Sequence, residues 1–250
     1  MNNNRTPQAL VVDLDGTLLH KEIAEIAVPG RTSYRYLSRK SANILAKISK
    51  LIPIVIATAR NANNVKQLVQ KIPEVHFSGF VTENGLVAKK CLDETSIYPI
   101  NWDGFMDLLP NWLQLSDYEN CLGLIPPASC NNGAFFLQKI LLNNNINGYI
   151  YLDGHKIFIY PSIPSKLIGL QLLKILPLIA LGNDLNDLDM LNSSIYTATL
   201  MTAHEQVKET VNSKGGYCSS LFSHAGTEEL LVWAYELVVH LSNDSNLKPV

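Results

Sequence analysis

Two aspartates, Asp13 and Asp15, close the apolar run Ala9–Leu14 within the stretch VVDLDGTLL. Side chains two apart in an extended segment start on the same side, so this spacing brings two carboxylates together at the end of a buried strand. Such a pair repels itself unless a cation or a proton joins it. An EF-hand loop is excluded, because Gly16 comes too early and the remaining oxygen ligands are missing. A second oxygen-rich stretch, LGNDLNDLDML, places Asn183, Asp184, Asn186 and Asp187 directly after the apolar run Leu178–Leu181. Helix capping by Asp184 or Asn183 explains one of these oxygens. Four together at a strand end suit one wall of a cation site, with Leu185, Leu188 and Leu191 forming the buried face of the next helix. Asp189, further into that helix, is expected to point to solvent.

Two more places carry chemistry. Thr58-Ala59-Arg60 follows the apolar run Ile54–Ala57 and precedes a helical pattern. A hydroxyl and free amides there can receive a phosphate oxygen. Lys166 stands near the start of another helix, where a cation opposes the helix dipole and is easier to accept if an anion lies between them. Jointly these parts suit phosphoryl transfer: a carboxylate nucleophile, an adjacent acid, a hydroxyl and a lysine for phosphate oxygens, and an oxygen cluster for a divalent cation. Dense oxygen ligands without thiolate or imidazole favour magnesium over zinc.

The elements that must position these residues alternate. Strand-like runs at Ala9–Leu14, Ile54–Ala57 and Phe77–Thr82 are separated by helical patterns at Ser41–Ile52 and Asn61–Lys71. From about 85 to 160 the texture changes to short strands, Pro and Asn clusters, helical segments at Gly133–Asn143 and Asp103–Leu113, and a hairpin, Tyr149–Tyr160, turned at Asp153-Gly154. Alternation then resumes with a helix at Pro164–Leu176, strands at Leu178–Leu181 and Ile195–Thr199, and helices after Asp184 and near His204 and Thr227. The pattern predicts a doubly wound α/β, mostly parallel, Rossmann-like core from residues 1–84 and 161–250, interrupted by an α+β insert over 85–160. In such sheets ligands bind outside the carboxyl ends of the strands, where the loaded residues fall.

Composition narrows the partners. With 47% apolar residues the chain can bury a full core, and 20 basic against 22 acidic side chains leave a formal charge of −2 with no basic cluster. Nucleic acid is therefore not the expected partner. The polar start MNNNRTPQ lacks a signal-peptide stretch, and the apolar run Leu167–Leu181 is broken by Gln171, Lys174 and Pro177, so no membrane span is expected. Four scattered cysteines without metal spacing are expected to be reduced and mostly buried, which favours the cytoplasm. Oligomeric state is not legible.

On VVDLDGTLL, IATAR, TENGLV, PSKLIGLQLL, LGNDLNDLDML, AHEQVKE and GTEELL, in that order, the chain resembles the haloacid dehalogenase superfamily of phosphatases. Within it the resemblance is to the Cof-like, sugar-phosphatase subgroup with a large C2-type cap between the second and third motifs. The resemblance implies Asp13 as the nucleophile of an aspartyl-phosphate intermediate and Asp15 as the acid and base. It makes Thr58, Ala59 and Lys166 the phosphate holders, and assigns a magnesium ion to Asp13, Asp15, Asn183, Asp184 and Asp187. Gly16, Thr17, Arg60 and Asn186 support the site, while Asn84 and the hairpin residues His155 and Lys156 are candidates for substrate contact. The implied substrate is a small phosphomonoester, such as a sugar phosphate. Alternatives are a phosphosugar mutase on the same scaffold and a non-catalytic binding relative. The family usually reads Gly-Asp-x-x-Asn-Asp in its last motif, whereas here Asn183 follows Gly182, an uncharged ligand that should weaken metal binding. Ala59 and Leu167 stand where glycine is common.

Overall fold

The computed structural model describes residues 6–30, 33–94 and 100–243. The polar opening residues 1–5 lie outside them. The chain divides into two compact units, Met1–Glu94 with Ser165–Val250, and Thr95–Pro164. The first unit opens with β1 (Gln8–Val12), β2 (Ile26–Val28), β3 (Arg35–Leu37), α1 (Arg39–Ile48), β4 (Ile54–Ala57), α2 (Ala62–Val69), β5 (Phe77–Thr82) and β6 (Val87–Lys89). The second unit holds α3 (Asp103–Met106), β7 (Leu113–Gln114), β8 (Leu122–Ile125), α4 (Gly133–Asn143), β9 (Tyr149–Asp153) and β10 (Lys156–Tyr160). The first unit then resumes with α5 (Lys166–Leu172), β11 (Leu176–Leu181), α6 (Leu188–Ser193), β12 (Tyr196–Thr199), α7 (Glu205–Ser213), β13 (Tyr217–Cys218) and α8 (Ser223–Asn243).

Seven strands of the first unit form one sheet in the order β13-β12-β11-β1-β4-β5-β6. Every neighbouring pair is parallel except β5 and β6. Helices cover both faces, so β1 from Ala9 onward and all of β4 are apolar rather than alternating in polarity. The period of two survives in which core each residue joins. Leu10 and Val12 pack with α1, α2 and α8 through Leu45, Leu68 and Leu231, while Ala9 and Val11 pack with Leu170 of α5 and Met190 of α6. From β1 the chain proceeds to β4 and β5 on one side and returns to β11 and β12 on the other. The order therefore reverses between β1 and β11, and Asp13 N donates to Leu181 O at 2.9 Å across that point.

Local rules explain the helix starts. Ser38, Asn61 and Ser165 lie in extended conformations ahead of α1, α2 and α5, and each side chain accepts a backbone N–H of the first turn. The second unit is an antiparallel sheet in the order β7-β8-β10-β9, with Leu137 and Leu141 of α4 packed on Leu122, Leu124, Ile157 and Ile159.

Several expectations change. The helix expected over 103–113 stops at Met106, because Pro110 disfavours helical geometry before it and Asn111 takes φ 67°. The helix from 164 ends at Leu172, where Lys174 at φ 57° turns the chain into β11. Leu185 is exposed, and Met190 with Leu191 forms the buried face in its place. All four cysteines are free, but only Cys121 is buried and Cys91 is exposed. Among the described residues no helix is long and apolar enough to cross a membrane.

Candidate active site

Loops after β1, β4, β5 and β11 meet at the carboxyl edge of the seven-stranded sheet, all within the first unit. Asp13 is buried and Asp15 exposed. The turn that carries Asp15 closes as Leu18 N and Leu19 N donate to Leu14 O at 2.9 and 2.7 Å, with Gly16 at φ 85°. A Cβ on Gly16 would run into the Asn183 amide, so glycine is required here both for its backbone and for its lack of bulk.

Lys166, the first residue of α5, is fully buried, and its Nζ donates to Asp13 Oδ1 at 2.6 Å and to Asp187 Oδ1 at 2.5 Å. Burial pulls this ammonium down, but the two carboxylates more than restore it and leave it above its usual value. Burial is also the largest influence on Asp13 and pushes its carboxyl up to about 7; Lys166 pulls against it, while Asp187 and Asp15 add to it. With both carboxylates ionised the cluster carries an excess negative charge, which a cation arriving beside Asp13 would relieve.

The structure places Asp184 and Asp187 differently from the cation set expected of them. Asp187 Oδ2 accepts Asn183 N at 2.8 Å and Asp184 N at 3.0 Å, while its Oδ1 holds Lys166. Asp184 is exposed, and its Oδ1 accepts Leu185 N at 2.7 Å. Together they form a capping box on the 3-10 turn Leu185–Asp187, because unpaired N–H groups at a helical start draw carboxylate oxygens.

Asn183 reaches back to the first loop. Its amide is satisfied when Nδ2 faces that loop, donating to Thr17 Oγ1 at 2.9 Å, Asp15 O at 3.1 Å and Asp13 Oδ2 at 3.2 Å. The side chain of Asp15 turns the other way. Arg60 grips it with Nε to Oδ2 at 2.6 Å and Nη2 to Oδ1 at 2.7 Å, and is itself steadied by Nη1 donating to Pro29 O at 3.0 Å. A bidentate pair of this kind sets orientation as well as charge.

Thr58 is buried after β4, and its hydroxyl accepts Arg60 N at 3.2 Å. Asn84, at φ 53° in the 3-10 turn Glu83–Gly85, donates its N–H to Thr58 O at 3.0 Å and accepts Asn186 Nδ2 on Oδ1 at 2.9 Å. It thus ties the loop after β4 to the loop after β11. Ala59 lies between Thr58 and Arg60 in the same loop. His155 lies at the exposed turn between β9 and β10 of the second unit, and Lys156 beside it is buried.

Comparison with known proteins follows the same lines. Residues 10–109 match the family model of the haloacid dehalogenase-like hydrolases. A haloacid dehalogenase-like hydrolase from Bacteroides thetaiotaomicron superposes with a TM-score of 0.67 at 14% identity, over 94% of this chain and 99% of its own. A protein from Thermotoga maritima gives 0.67 at 18% identity over 90% and 96%, and a trehalose-6-phosphate phosphatase related protein gives 0.60 at 11% over 93% and 99%. No curated protein matches the sequence. The family match takes in the loops after β1, β4 and β5, and the structural matches extend the likeness in fold over the rest of the chain.

Within this fold, three supporting residues had no signal strong enough to read from sequence. Arg35 of β3 brings Nε within 3.7 Å of Asp15 Oδ1, from a strand too short to show periodicity. Asp189 is not turned to solvent: it accepts Ser165 Oγ and, at 3.1 Å, Leu167 N, so it holds the start of α5 from 22 residues away. Thr227 of α8 donates to Thr17 O at 2.5 Å, which steadies the first loop across 210 residues. These are contacts between distant segments, invisible to local pattern.

Proposed function

We propose that the protein is a magnesium-dependent phosphomonoester hydrolase acting on a small phosphorylated metabolite of the sugar-phosphate class, through an aspartyl-phosphate on Asp13. The observation that carries this reading is the buried Asp13 held by Lys166 beside the Thr58 loop, with Asp15 gripped at the same edge. The match of residues 10–109 to the haloacid dehalogenase-like hydrolases supports hydrolase chemistry, and a structural relative described as related to a trehalose-6-phosphate phosphatase supports the substrate class.

In the reaction proposed, an Asp13 carboxylate oxygen forms a bond to phosphorus as the bond to the leaving alcohol oxygen breaks. Asp15 gives that oxygen its proton. The Asp15 carboxylate then takes a proton from water as the water oxygen bonds to phosphorus, the Asp13–phosphorus bond breaks, and orthophosphate leaves. Arg60 fixes the orientation of the Asp15 carboxylate, and the anion is the form this second step needs. Lys166 and the Thr58 hydroxyl stabilise charge on the transferring group's oxygens.

The donor set fits a magnesium ion: Asp13 Oδ2, the Asp15 carbonyl and the Asn183 side chain converge, all with hard amide or carboxylate oxygens. Among the described residues no three His, Cys, Asp or Glu side chains form a metal cluster: Asp15 turns its carboxylate to Arg60, and Asn183 carries an amide. When bound, the ion screens the repulsion between Asp13 and the phosphoryl group. Asn183 also favours a second reading, a non-catalytic relative that keeps the scaffold. The discriminating experiment is release of phosphate from an aryl phosphate and a panel of sugar phosphates, with and without magnesium. We expect magnesium-dependent turnover that Asp13→Asn abolishes; turnover unchanged in that variant would sink the mechanism, and none with any substrate would favour the second reading.

A further inference from the structure

Asn183 faces three oxygens that leave its amide two alternative uses. With Nδ2 turned to the first loop, its N–H bonds are shared over Thr17 Oγ1, Asp15 O and Asp13 Oδ2 at 2.9 to 3.2 Å. In that state the amide does electrostatically what a cation would do there, placing positive hydrogens against a carboxylate and a carbonyl. With Oδ1 turned to the loop, the same positions would set oxygen against oxygen at about hydrogen-bond distance, which is unfavourable unless a cation lies among them. An aspartate at this position would have no donor to offer and would face Asp13 Oδ2 with a second negative charge. The asparagine is packed in place, because the first loop carries no side chain at Gly16 and a Cβ there would collide with the amide.

We propose that Asn183 makes divalent-cation binding conditional on the phosphoryl anion. Without an anion, the amide hydrogen bonds close the Asp13 Oδ2 and Asp15 carbonyl pair, and a cation must break them and turn the amide while gaining only one carboxylate. Magnesium is held elsewhere by one or two carboxylates together with substrate phosphate oxygens, so an arriving anion supplies the charge that Asn183 lacks. Cation and phosphoryl group then bind as a linked pair, each tightening the other by the same factor. The sequence signal is one residue, the asparagine after Gly182, and the fold supplies the three oxygens that give it meaning. This inference rests on the phosphatase reading, since it assumes that the Asp13 edge receives a phosphoryl group.

The test is calorimetric titration of the whole protein with magnesium, alone and at saturating orthophosphate, with Asn183→Asp titrated in parallel. The expected result is weak binding by the natural protein, tightened on the order of tenfold or more by orthophosphate. Asn183→Asp is expected to bind magnesium tightly without the anion, with the coupling reduced severalfold. Its cation-free form should melt below the natural protein and recover on adding magnesium, because the carboxylate then faces Asp13 unscreened. Equal magnesium affinity of the natural protein with and without orthophosphate would overturn the proposal. If that protein still hydrolyses phosphomonoesters with magnesium, the phosphatase reading survives alone. Absence of magnesium binding even with orthophosphate would overturn both.

Discussion

Lys166 is a full charge with no exposed surface, and its removal would leave the carboxylates of Asp13 and Asp187 facing each other without a cation. Breaking a buried charge pair in this way costs about 3–5 kcal/mol, so Lys166→Met should lower unfolding stability in urea by that order and abolish turnover. A variant as stable as the natural protein would show that the lysine is not a structural member of the cluster. Asp187 and Asp189 differ in what they hold. Asp187 takes Lys166 and two loop N–H groups, whereas Asp189 holds Ser165 and Leu167 at the start of α5. Loss of activity is therefore expected to be larger in Asp187→Ala than in Asp189→Ala, and Asp189→Ala should cost about 1 kcal/mol of stability, as a lost cap does. Steady-state kinetics giving the reverse order would place the key lysine contact elsewhere.

At the scale of elements, the turn after β1 joins two loops through a glycine. Gly16 combines φ 85° with the near approach of Asn183, so Gly16→Ala is strained by its backbone and by contact together. Thermal or urea unfolding should show a loss of more than about 1 kcal/mol, since alanine at a positive φ costs more than the usual glycine-to-alanine gain. An unchanged midpoint would mean that the turn readjusts. The same loop is braced from α8. His20 Nε2 and Thr227 Oγ1 are 2.6 Å apart, and Thr227 gives its proton to Thr17 O. The histidine must therefore donate, through a protonated Nε2. Elements read from sequence were largely those with a continuous apolar run or a helical pattern, such as β4, β5 and α4. The pair β2 and β3 went unread because three-residue strands show no period, and with it went Arg35 beside Asp15.

Stability of the whole molecule should carry the mark of His20. Burial lowers its pKa from 6.5 to about 4, with nearby His224 adding to the effect and Glu22 and Asp15 opposing it. Its folded pKa lies below the unfolded value, so between those two pH values the unfolded chain binds more protons than the native one. The contribution is thus present in full above pH 6.5 and is lost progressively as pH falls toward 4. The loss approaches about 3 kcal/mol at the lower end, from the value of one pKa unit. Urea unfolding across that window should show a shallower pH dependence in His20→Gln than in the natural protein, and identical slopes would remove His20 as the cause.

The amino-acid sequence determined the alternation of buried strands and helices, because strands covered on both faces must be apolar along their length, and it determined that oxygens crowd the ends of β1 and β11. It also singled out Asn183 as a departure. Only the tertiary structure decided how those oxygens divide. Asp184 and Asp187 cap a turn and Asp187 holds Lys166, while the Asn183 side chain lies against Thr17, Asp13 and the Asp15 carbonyl. That division depends on side chains from segments about 170 residues apart competing for the same N–H groups and cations, and local spacing carries no record of which partner wins.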